Sequence, residues 1–201
     1  MNIVGVLLAA GSGRRFDASG ARNKLLAPLA DGRQVVVASA KNLITALPQV
    51  VAVVRDGDEQ VAALLRALGC QVVPCPDASM GMAASLAHGL RYSPAGADAW
   101  VVALGDMPYV QAATIASLCA AIGEGATIAA PFYDGRRGNP VAFHNTHLNE
   151  LLALQGDHGA RHLLDEHRVT KVQVDDPGIF SDIDTTADLN RSRPWHALPK
   201  R

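Results

Sequence analysis

Short apolar runs alternate with segments of helical periodicity along most of this chain. The apolar, β-rich runs predict buried strands at residues 3–8, 50–54, 71–73, 99–104, 127–130, 140–143 and 169–174. Between several of them, apolar residues recur at helical spacing and predict helices over residues 35–46, 59–67, 82–92 and 112–122. Strands of this kind alternating with helices indicate an α/β fold, in which a mostly parallel sheet carries helices on both faces.

The same pattern shows where the folded unit ends. No repeat, low-complexity tract or linker rich in proline and serine interrupts residues 1–190, so we expect one domain there. Residues 191–201, with the sequence RSRPWHALPKR, are basic and contain proline, and we expect a loose tail.

Composition and charge narrow the classes of function. Of the 201 residues, 49% are hydrophobic and 18% are charged, which is typical of a globular protein with a substantial core. The net charge of −1 provides no basic field for nucleic acid or an anionic membrane, and no apolar segment reaches the roughly 18 residues of a membrane span. Three cysteines without a C-x-x-C pair suit a reducing compartment. We therefore expect a cytoplasmic protein.

The loop after the first strand, LLAAGSGRRFDASGARNK (residues 7–24), concentrates small and basic residues. Small residues at positions 9–13 let backbone N–H groups approach an anion, while Arg14 and Lys24 add a planar and a compact positive charge. A dinucleotide fingerprint is excluded because Phe16 stands where the third glycine belongs, and a P-loop because Leu25 follows Lys24. The sequence predicts a phosphate site of another kind.

Two groups of carboxylates follow later in the chain and are expected at the same edge of the sheet. Asp106 comes directly after the strand at 99–104 and suits a Mg²⁺ ligand, the alternative being a cap for a helix starting near residue 110. Asp182 and Asp184 lie two apart, and one of them could complete the metal site, the alternative being helix capping alone. Residues 185–188 have the form of a capping box with Asp in place of Glu.

Six blocks, in this order, resemble the signature blocks of the molybdopterin nucleotidyltransferases, and most of all those of the molybdenum cofactor cytidylyltransferases. They are LLAAGSGRRF…NKLL, SMGMAASLAHGL (79–90), LGDMP, GRRGNPVAF (135–143), GDHGAR (156–161) and DIDTTADL. The resemblance implies a single-domain, Rossmann-like nucleotidyltransferase fold. It also implies transfer of CMP from CTP to the terminal phosphate of molybdopterin, with release of pyrophosphate. A molybdenum hydroxylase or its maturation chaperone would be a further partner.

The resemblance also implies roles for individual residues. Arg14, Lys24 and Asp106 would be catalytic, and Mg²⁺ would be held by Asp106 and Asp184, with Asp182 as the alternative. The pterin phosphate would be bound by Asn139, Asp157 and Arg161. Nucleotide binding would involve Leu8, Ala9, Ala10, Gly11, Ser12, Gly13, Arg14, Lys24, Ser85, Gly105 and Asp106.

The choice of CTP comes from position 10, because guanylyl-transferring relatives tend to carry two glycines where this chain has Ala10 and Gly11. Three positions depart from the family pattern. Asn139 replaces a frequent histidine, Ser79 a bulkier residue, and Thr186 a proline. The first two bear on the identity of the acceptor more than on the type of reaction.

Other functions stay open from the residues alone. A related transferase could use GTP or a sugar or polyol phosphate acceptor. A nicotinamide-dependent oxidoreductase would find an acidic residue in Asp56 or Asp58 but lacks its glycine fingerprint, and a carrier of cofactor would not need Asp106. His158, His162 and His167 lie in a predicted helical segment, where a solvated face is favoured over a metal site.

Overall fold

The computed structural model describes residues 1–17, 19, 22–156 and 159–190, and one eight-stranded sheet forms its centre. Across the sheet the strands follow the order β3-β2-β1-β4-β7-β5-β6, and β8 also pairs with β5. Every predicted strand is present within a few residues of its predicted bounds, and β6 is additional. The strands are β1 Ile3–Ala9, β2 Val50–Arg55, β3 Gln71–Cys75, β4 Ala99–Leu104, β5 Ile128–Tyr133, β6 Arg136–Arg137, β7 Val141–His144 and β8 Thr170–Gln173.

The sheet is mostly parallel, as predicted, but β7 runs against its neighbours. Strands β1 to β4 are parallel, with Val6 in register with Val51 on one side and Val102 on the other. Strand β7 is antiparallel to both β4 and β5. A two-residue turn at Asp134 and Gly135, both with positive φ, joins β5 to the antiparallel β6. The chain thus reverses here through a hairpin, where a parallel strand would need a long crossover.

The four predicted helices are present, and three shorter ones follow. The helices are α1 Val35–Ala46, α2 Glu59–Ala67, α3 Met82–Arg91, α4 Ala112–Gly123, α5 Leu148–Ala153, α6 Arg161–Glu166 and α7 Thr186–Asn190. The helical segment predicted around the histidines is helical only over α6. His162 lies within it, His167 follows its end, and His158 is outside the described residues.

Side chains alternate along the strands and build an apolar layer on each face of the sheet. Leu7 of β1 packs among the buried residues of α1, α2 and α4. Val6 packs on the other face with Leu86 of α3, Leu151 of α5 and Leu163 of α6. Helices therefore cover both faces, as expected of an α/β fold.

Helix α3 lies against the sheet without a side chain between them at Gly89. A Cβ atom there would lie 2.7 Å from Val53 Cγ2 and 2.9 Å from Val6 Cγ1, closer than packed atoms allow.

No helix in the described residues is long and apolar enough to cross a membrane. The predicted tail at 191–201 lies outside the described residues.

Candidate active site

Lys24 joins two of the predicted carboxylates at the edge of the sheet where β1 and β4 end. Its ammonium Nζ lies 2.6 Å from Asp106 Oδ2 and 3.0 Å from Asp184 Oδ1. The three side chains are only 11%, 21% and 18% exposed, respectively. Asp106 and Asp184 lie 82 and 160 positions after Lys24 in the sequence, and all three therefore meet in one partly buried ionic cluster.

The position of Lys24 is set by a short 3-10 helix, Lys24–Leu26. Asn23 caps that turn, since its Oδ1 accepts a hydrogen bond from the N–H of Leu25 at 3.0 Å. The amide group of Asn23 also donates to Asp58 Oδ2 at 2.6 Å, which ties the turn to the start of α2. The capping of this turn was not anticipated from the sequence, although Asn is a common cap residue.

Asp106 sits one residue beyond the junction of β1 and β4. The N–H of Gly105 donates to Leu8 O at 2.9 Å, and a Cβ atom on Gly105 would come within 3.1 Å of Ala9 Cβ. From the other side, the Ser39 hydroxyl donates to Gly105 O at 3.0 Å. Glycine at 105 thus lets β4 close tightly on β1, and this places Asp106 beside Lys24.

Asp184 reaches the cluster from the C-terminal part of the domain. The N–H of Ile183 donates to the backbone oxygen of Asp106 at 2.9 Å, which docks the 182–184 segment on the loop after β4. The Asp188 carboxylate accepts hydrogen bonds from the N–H groups of Asp184 and Thr185 at 3.2 and 2.7 Å. The acidic residue of the predicted capping box thus reaches back as expected, and it holds the backbone that presents Asp184.

Negatively charged groups outnumber positively charged groups in this cluster. Burial by itself lowers the pKa of the Lys24 ammonium, but the carboxylates of Asp106 and Asp184 outweigh it and raise that pKa above its ordinary value. Partial desolvation of the Asp182 carboxyl, followed by the negative charges of Asp184 and Asp106, raises the pKa of Asp182. Three carboxylates therefore share one site, and more positive charge would stabilise it.

A divalent cation fits these residues. Asp106 Oδ1 is buried and has no hydrogen-bond partner among the described residues, although its other oxygen binds Lys24. A buried carboxylate oxygen without a partner is costly unless a cation or donor meets it. Asp106 and Asp184 offer the hard oxygen ligands that Mg²⁺ or Mn²⁺ takes.

The glycine-rich loop lies directly above this cluster. Gly13 adopts a left-handed φ of 62°, and a Cβ atom there would lie 3.8 Å from Lys24 Cγ. Gly11 and Ser12 are exposed, and within the described chain the N–H groups of 11–13 donate no hydrogen bond. These N–H groups are available to an anion, as the small residues predicted.

The structure changes the interpretation of two residues of the loop, Ala10 and Arg14. Ala10 is 4% exposed and packs in the apolar layer of β1 and α3, so its methyl group does not face a ligand directly. Arg14 is exposed and forms no ion pair within the described residues, whereas Arg15 pairs with Asp184. Arg15 was not predicted, because two adjacent arginines in a loop give no sign of which one pairs with a carboxylate, and both side chains are exposed.

Asp106 does not cap the following helix. The N-cap of α4 is Gln111, whose N–H donates to Oδ2 of the buried Asp176 at 2.8 Å, and Thr114 Oγ1 donates to the same oxygen at 2.7 Å. The alternative interpretation of Asp106 as a helix cap was therefore wrong. The contact of Asp176 was missed because Asp176 lies 65 residues away from Gln111.

The residues predicted to meet the acceptor lie in two separate parts of the fold. The N–H of Asn139 donates to Ile179 O at 3.1 Å, so the 135–143 block adjoins the chain that leads to Asp182.

Arg161 is exposed at the start of α6. In the same 156–161 block, Gly156 O accepts a hydrogen bond from the N–H of Ala83 in α3 at 3.1 Å. Asp157 is outside the described residues. Neither Asn139 nor Arg161 has a hydrogen bond to Lys24, Asp106 or Asp184 in the described chain.

Ser85 lies inside α3 and is 5% exposed. Its side chain hydrogen-bonds the Cys75 thiol, whose pKa is raised by burial. Its predicted contact with the nucleotide stays a prediction.

Comparison with solved structures places this geometry among known proteins. Rv0371c from Mycobacterium tuberculosis H37Rv matches with a TM-score of 0.82 and 30% identity, over 95% of this chain and 97% of that one. A structure of that protein in complex with manganese matches with a TM-score of 0.79 and 29% identity, over the same shares. A nucleotidyl transferase from Methanothermobacter matches with a TM-score of 0.79 and 26% identity, over 94% and 95% of the two chains.

A more distant likeness extends to molybdopterin-guanine dinucleotide biosynthesis protein A from Archaeoglobus fulgidus. It has a TM-score of 0.65 and 22% identity, over 94% of this chain and 95% of that one, which shows a shared fold. No protein with a curated description matches the sequence. The family model described as the MobA-like NTP transferase domain matches residues 5–172. With most of its length matched by that model, the chain belongs to the MobA-like NTP transferases, and its activity is nucleotidyl transfer.

Proposed function

We propose that this protein transfers CMP from CTP to the terminal phosphate of molybdopterin and releases pyrophosphate. The observation that carries the transfer chemistry is the cluster of Lys24, Asp106 and Asp184 beneath the N–H groups of residues 11–13. A negatively charged triphosphate suits the N–H groups and Lys24, and a divalent cation suits the carboxylates.

No general base is needed in this reaction. A phosphate monoester has a second pKa near 6, so the acceptor is largely a dianion at neutral pH and can attack the α-phosphorus directly. The task of the protein is to hold the two substrates in line and to balance the charge on the phosphates. Mg²⁺ held by Asp106 and Asp184 would supply part of that charge, and Lys24 and Arg14 would supply the rest.

The choice of CTP and molybdopterin rests on the sequence blocks. Ala10 before Gly11 favours a cytidylyl transferase, and Asn139, Asp157 and Arg161 belong to the blocks expected to face the pterin phosphate. A protein with this fold from Archaeoglobus fulgidus is described as acting in molybdopterin-guanine dinucleotide biosynthesis, which keeps GTP as the second candidate nucleotide. The product would serve a cytoplasmic molybdenum hydroxylase, directly or through its maturation chaperone.

Pyrophosphate release with CTP, GTP, ATP or UTP, with and without Mg²⁺, tests the proposal. Each nucleotide is offered with molybdopterin or with a sugar or polyol phosphate. We expect turnover only with Mg²⁺, with molybdopterin, and fastest with CTP. Asp106→Asn should fold and show no metal-dependent turnover, which makes it the control for contaminating enzymes. Preference for GTP would overturn the cytidylyl assignment, and turnover with only the other acceptors would overturn the pterin assignment.

Ala10→Gly tests the source of base preference. Because the methyl group of Ala10 is buried, the substitution should loosen the loop backbone and narrow the preference for CTP over GTP modestly. The effect is indirect, so it should stay below the roughly 1–3 kcal/mol that a methyl group in direct contact with a ligand contributes. The measurement is kcat/KM for both nucleotides, and an unchanged ratio would remove Ala10 from base selection.

A further inference from the structure

A second cluster of metal-binding side chains lies on the face of the sheet covered by α3, α5 and α6. His147 Nδ1 is 3.1 Å from Glu150 Oε1, and His167 Nε2 is 2.6 Å from Glu150 Oε2. The two imidazole rings meet edge to face, with centroids 4.6 Å apart. One ligand atom from each of the three residues lies within 4.8 Å of the other two. The cluster shares no residue with the site of Lys24, Asp106 and Asp184.

The fold brings these residues together from two helices. His147 precedes α5 and Glu150 lies in its first turn, so their spacing of three residues places them on one helix face. His167 follows α6, and its N–H donates to Leu163 O at 3.0 Å. Leu151 and Leu163 are both buried in the same apolar layer, which anchors the two helices beside each other.

Burial and charge favour a cation at this cluster. His147 is buried, with its side chain 8% exposed, and its Nδ1 atom faces the Glu150 carboxylate. The Glu150 carboxylate has no Lys or Arg partner in the described chain. Nδ1 of His147, Nε2 of His167 and the carboxylate oxygens of Glu150 thus face one point.

We propose that His147, Glu150 and His167 bind a divalent transition metal, with Zn²⁺ as the best match. Two histidines and one glutamate are a donor set that zinc takes in proteins, with water as the fourth ligand. Bonds of about 2.0–2.2 Å in a tetrahedron require ligand atoms roughly 3.3–3.5 Å apart. The contacts of 3.1 and 2.6 Å to Glu150 must therefore lengthen, and any separation near 4.8 Å must shorten. Glu150 and His167 are 42% and 33% exposed and can make that adjustment. Their exposure also leaves the fourth position open to water.

The bound metal would tie the start of α5 to the end of α6. The chain between those helices carries the 156–161 block, so the metal would restrain both ends of that segment. Zn²⁺ binding at these residues does not depend on which nucleotide or acceptor the enzyme uses.

The test uses the full chain without an affinity tag, stripped of metal with a chelator. Zn²⁺ is titrated in competition with a chromophoric chelator, and Co²⁺ replaces Zn²⁺ to report the ligand field by visible absorption. We expect one tight Zn²⁺ site per chain and the absorption of low-coordinate Co²⁺. Glu150→Gln and His167→Gln should each weaken Zn²⁺ binding by more than about a hundredfold, because each removes a direct ligand.

The controls separate this site from others. His162→Gln removes an exposed histidine that pairs with Glu166, and it should bind Zn²⁺ as the wild type does. Asp106→Asn should also keep the tight site. Wild-type protein that binds no tighter than His167→Gln would overturn the proposal, as would loss of the tight site in Asp106→Asn. Thermal unfolding without metal checks that each variant folds. If Glu150→Gln does not fold, the Zn²⁺ affinity of His167→Gln alone tests the proposal.

Discussion

Lys24 occupies the centre of the ionic cluster, between the two carboxylates assigned to the metal. A cation that binds Asp106 and Asp184 competes with these contacts, which would free the ammonium to move toward the triphosphate. Lys24 would therefore link metal binding to nucleotide binding through charge balance.

Lys24→Ala should lower kcat and kcat/KM together, by about a hundredfold, because charge on the departing pyrophosphate loses its partner. Steady-state kinetics with CTP and the pterin acceptor measure both constants. Lys41→Ala, which removes an exposed lysine of α1, is the matched control and should be near wild type. A raised KM with unchanged kcat would make Lys24 a ground-state contact instead.

The two acidic residues of the 182–184 segment should differ in importance. Asp184 contacts both Lys24 and Arg15, whereas partial desolvation and the neighbouring negative charges raise the pKa of the Asp182 carboxyl. We expect Asp184→Asn to lose most Mg²⁺-dependent pyrophosphate release and Asp182→Asn to retain more of it. The two rates, measured over a Mg²⁺ series, decide the order. Greater loss in Asp182→Asn would show that Asp182 is the metal ligand.

At the scale of elements, the close contact of α3 with β1 and β2 depends on the absence of a side chain at Gly89. An added methyl group would clash with Val6 and Val53, which are in the interior of the sheet and cannot move away. Gly89→Ala should therefore destabilise the protein by about 1–3 kcal/mol, although alanine is the better helix former.

Gly123 provides the comparison. It ends α4, is exposed, and has no atom within 4 Å of the position that a Cβ would take. Gly123→Ala should leave stability unchanged or raise it by up to about 1 kcal/mol. Urea unfolding of both variants measures the difference. Equal stabilities would mean that α3 can shift away from the sheet at little cost.

At the scale of the whole molecule, burial of a cysteine thiol makes the free energy of unfolding fall at alkaline pH. Burial raises the pKa of the Cys70 thiol from 9.0 to about 11. Between these values the unfolded chain loses the proton and the folded chain keeps it. The contribution of Cys70 to stability is therefore constant below pH 9 and falls as pH rises toward 11.

Urea unfolding at pH 8 and pH 10 should show this loss, at most about 1.4 kcal/mol from Cys70. Staying at or below pH 10 keeps the Lys24 ion pairs intact, since that pKa is raised above 10.5. Cys70→Ala should be less stable than wild type at pH 8 but should lose less stability on going to pH 10. An equal loss in both proteins would assign the effect to other groups.

The amino-acid sequence by itself determined the elements and the type of loop. Burial on both faces of a parallel strand demands a continuous apolar run, and a helix on one face of a sheet demands apolar residues at helical spacing. Both are local patterns, so the central strands and the four long helices could be read directly. The sequence also identified the glycine-rich loop, Lys24 and Asp106 as candidate site residues. Small residues and charged residues directly after a buried strand are typical of a ligand site.

Only the tertiary structure decided which distant partners meet. Contacts between residues far apart in sequence decide three features: the reversal of β7, the pairing of Arg15 rather than Arg14 with Asp184, and the hydrogen bonds of Asp176 at the start of α4. The grouping of His147 and Glu150 with His167 depends on the packing of two helices too short to show a period. Contacts of this kind form because chain segments share an apolar layer or close an ionic site. That geometry leaves no repeat in the local sequence.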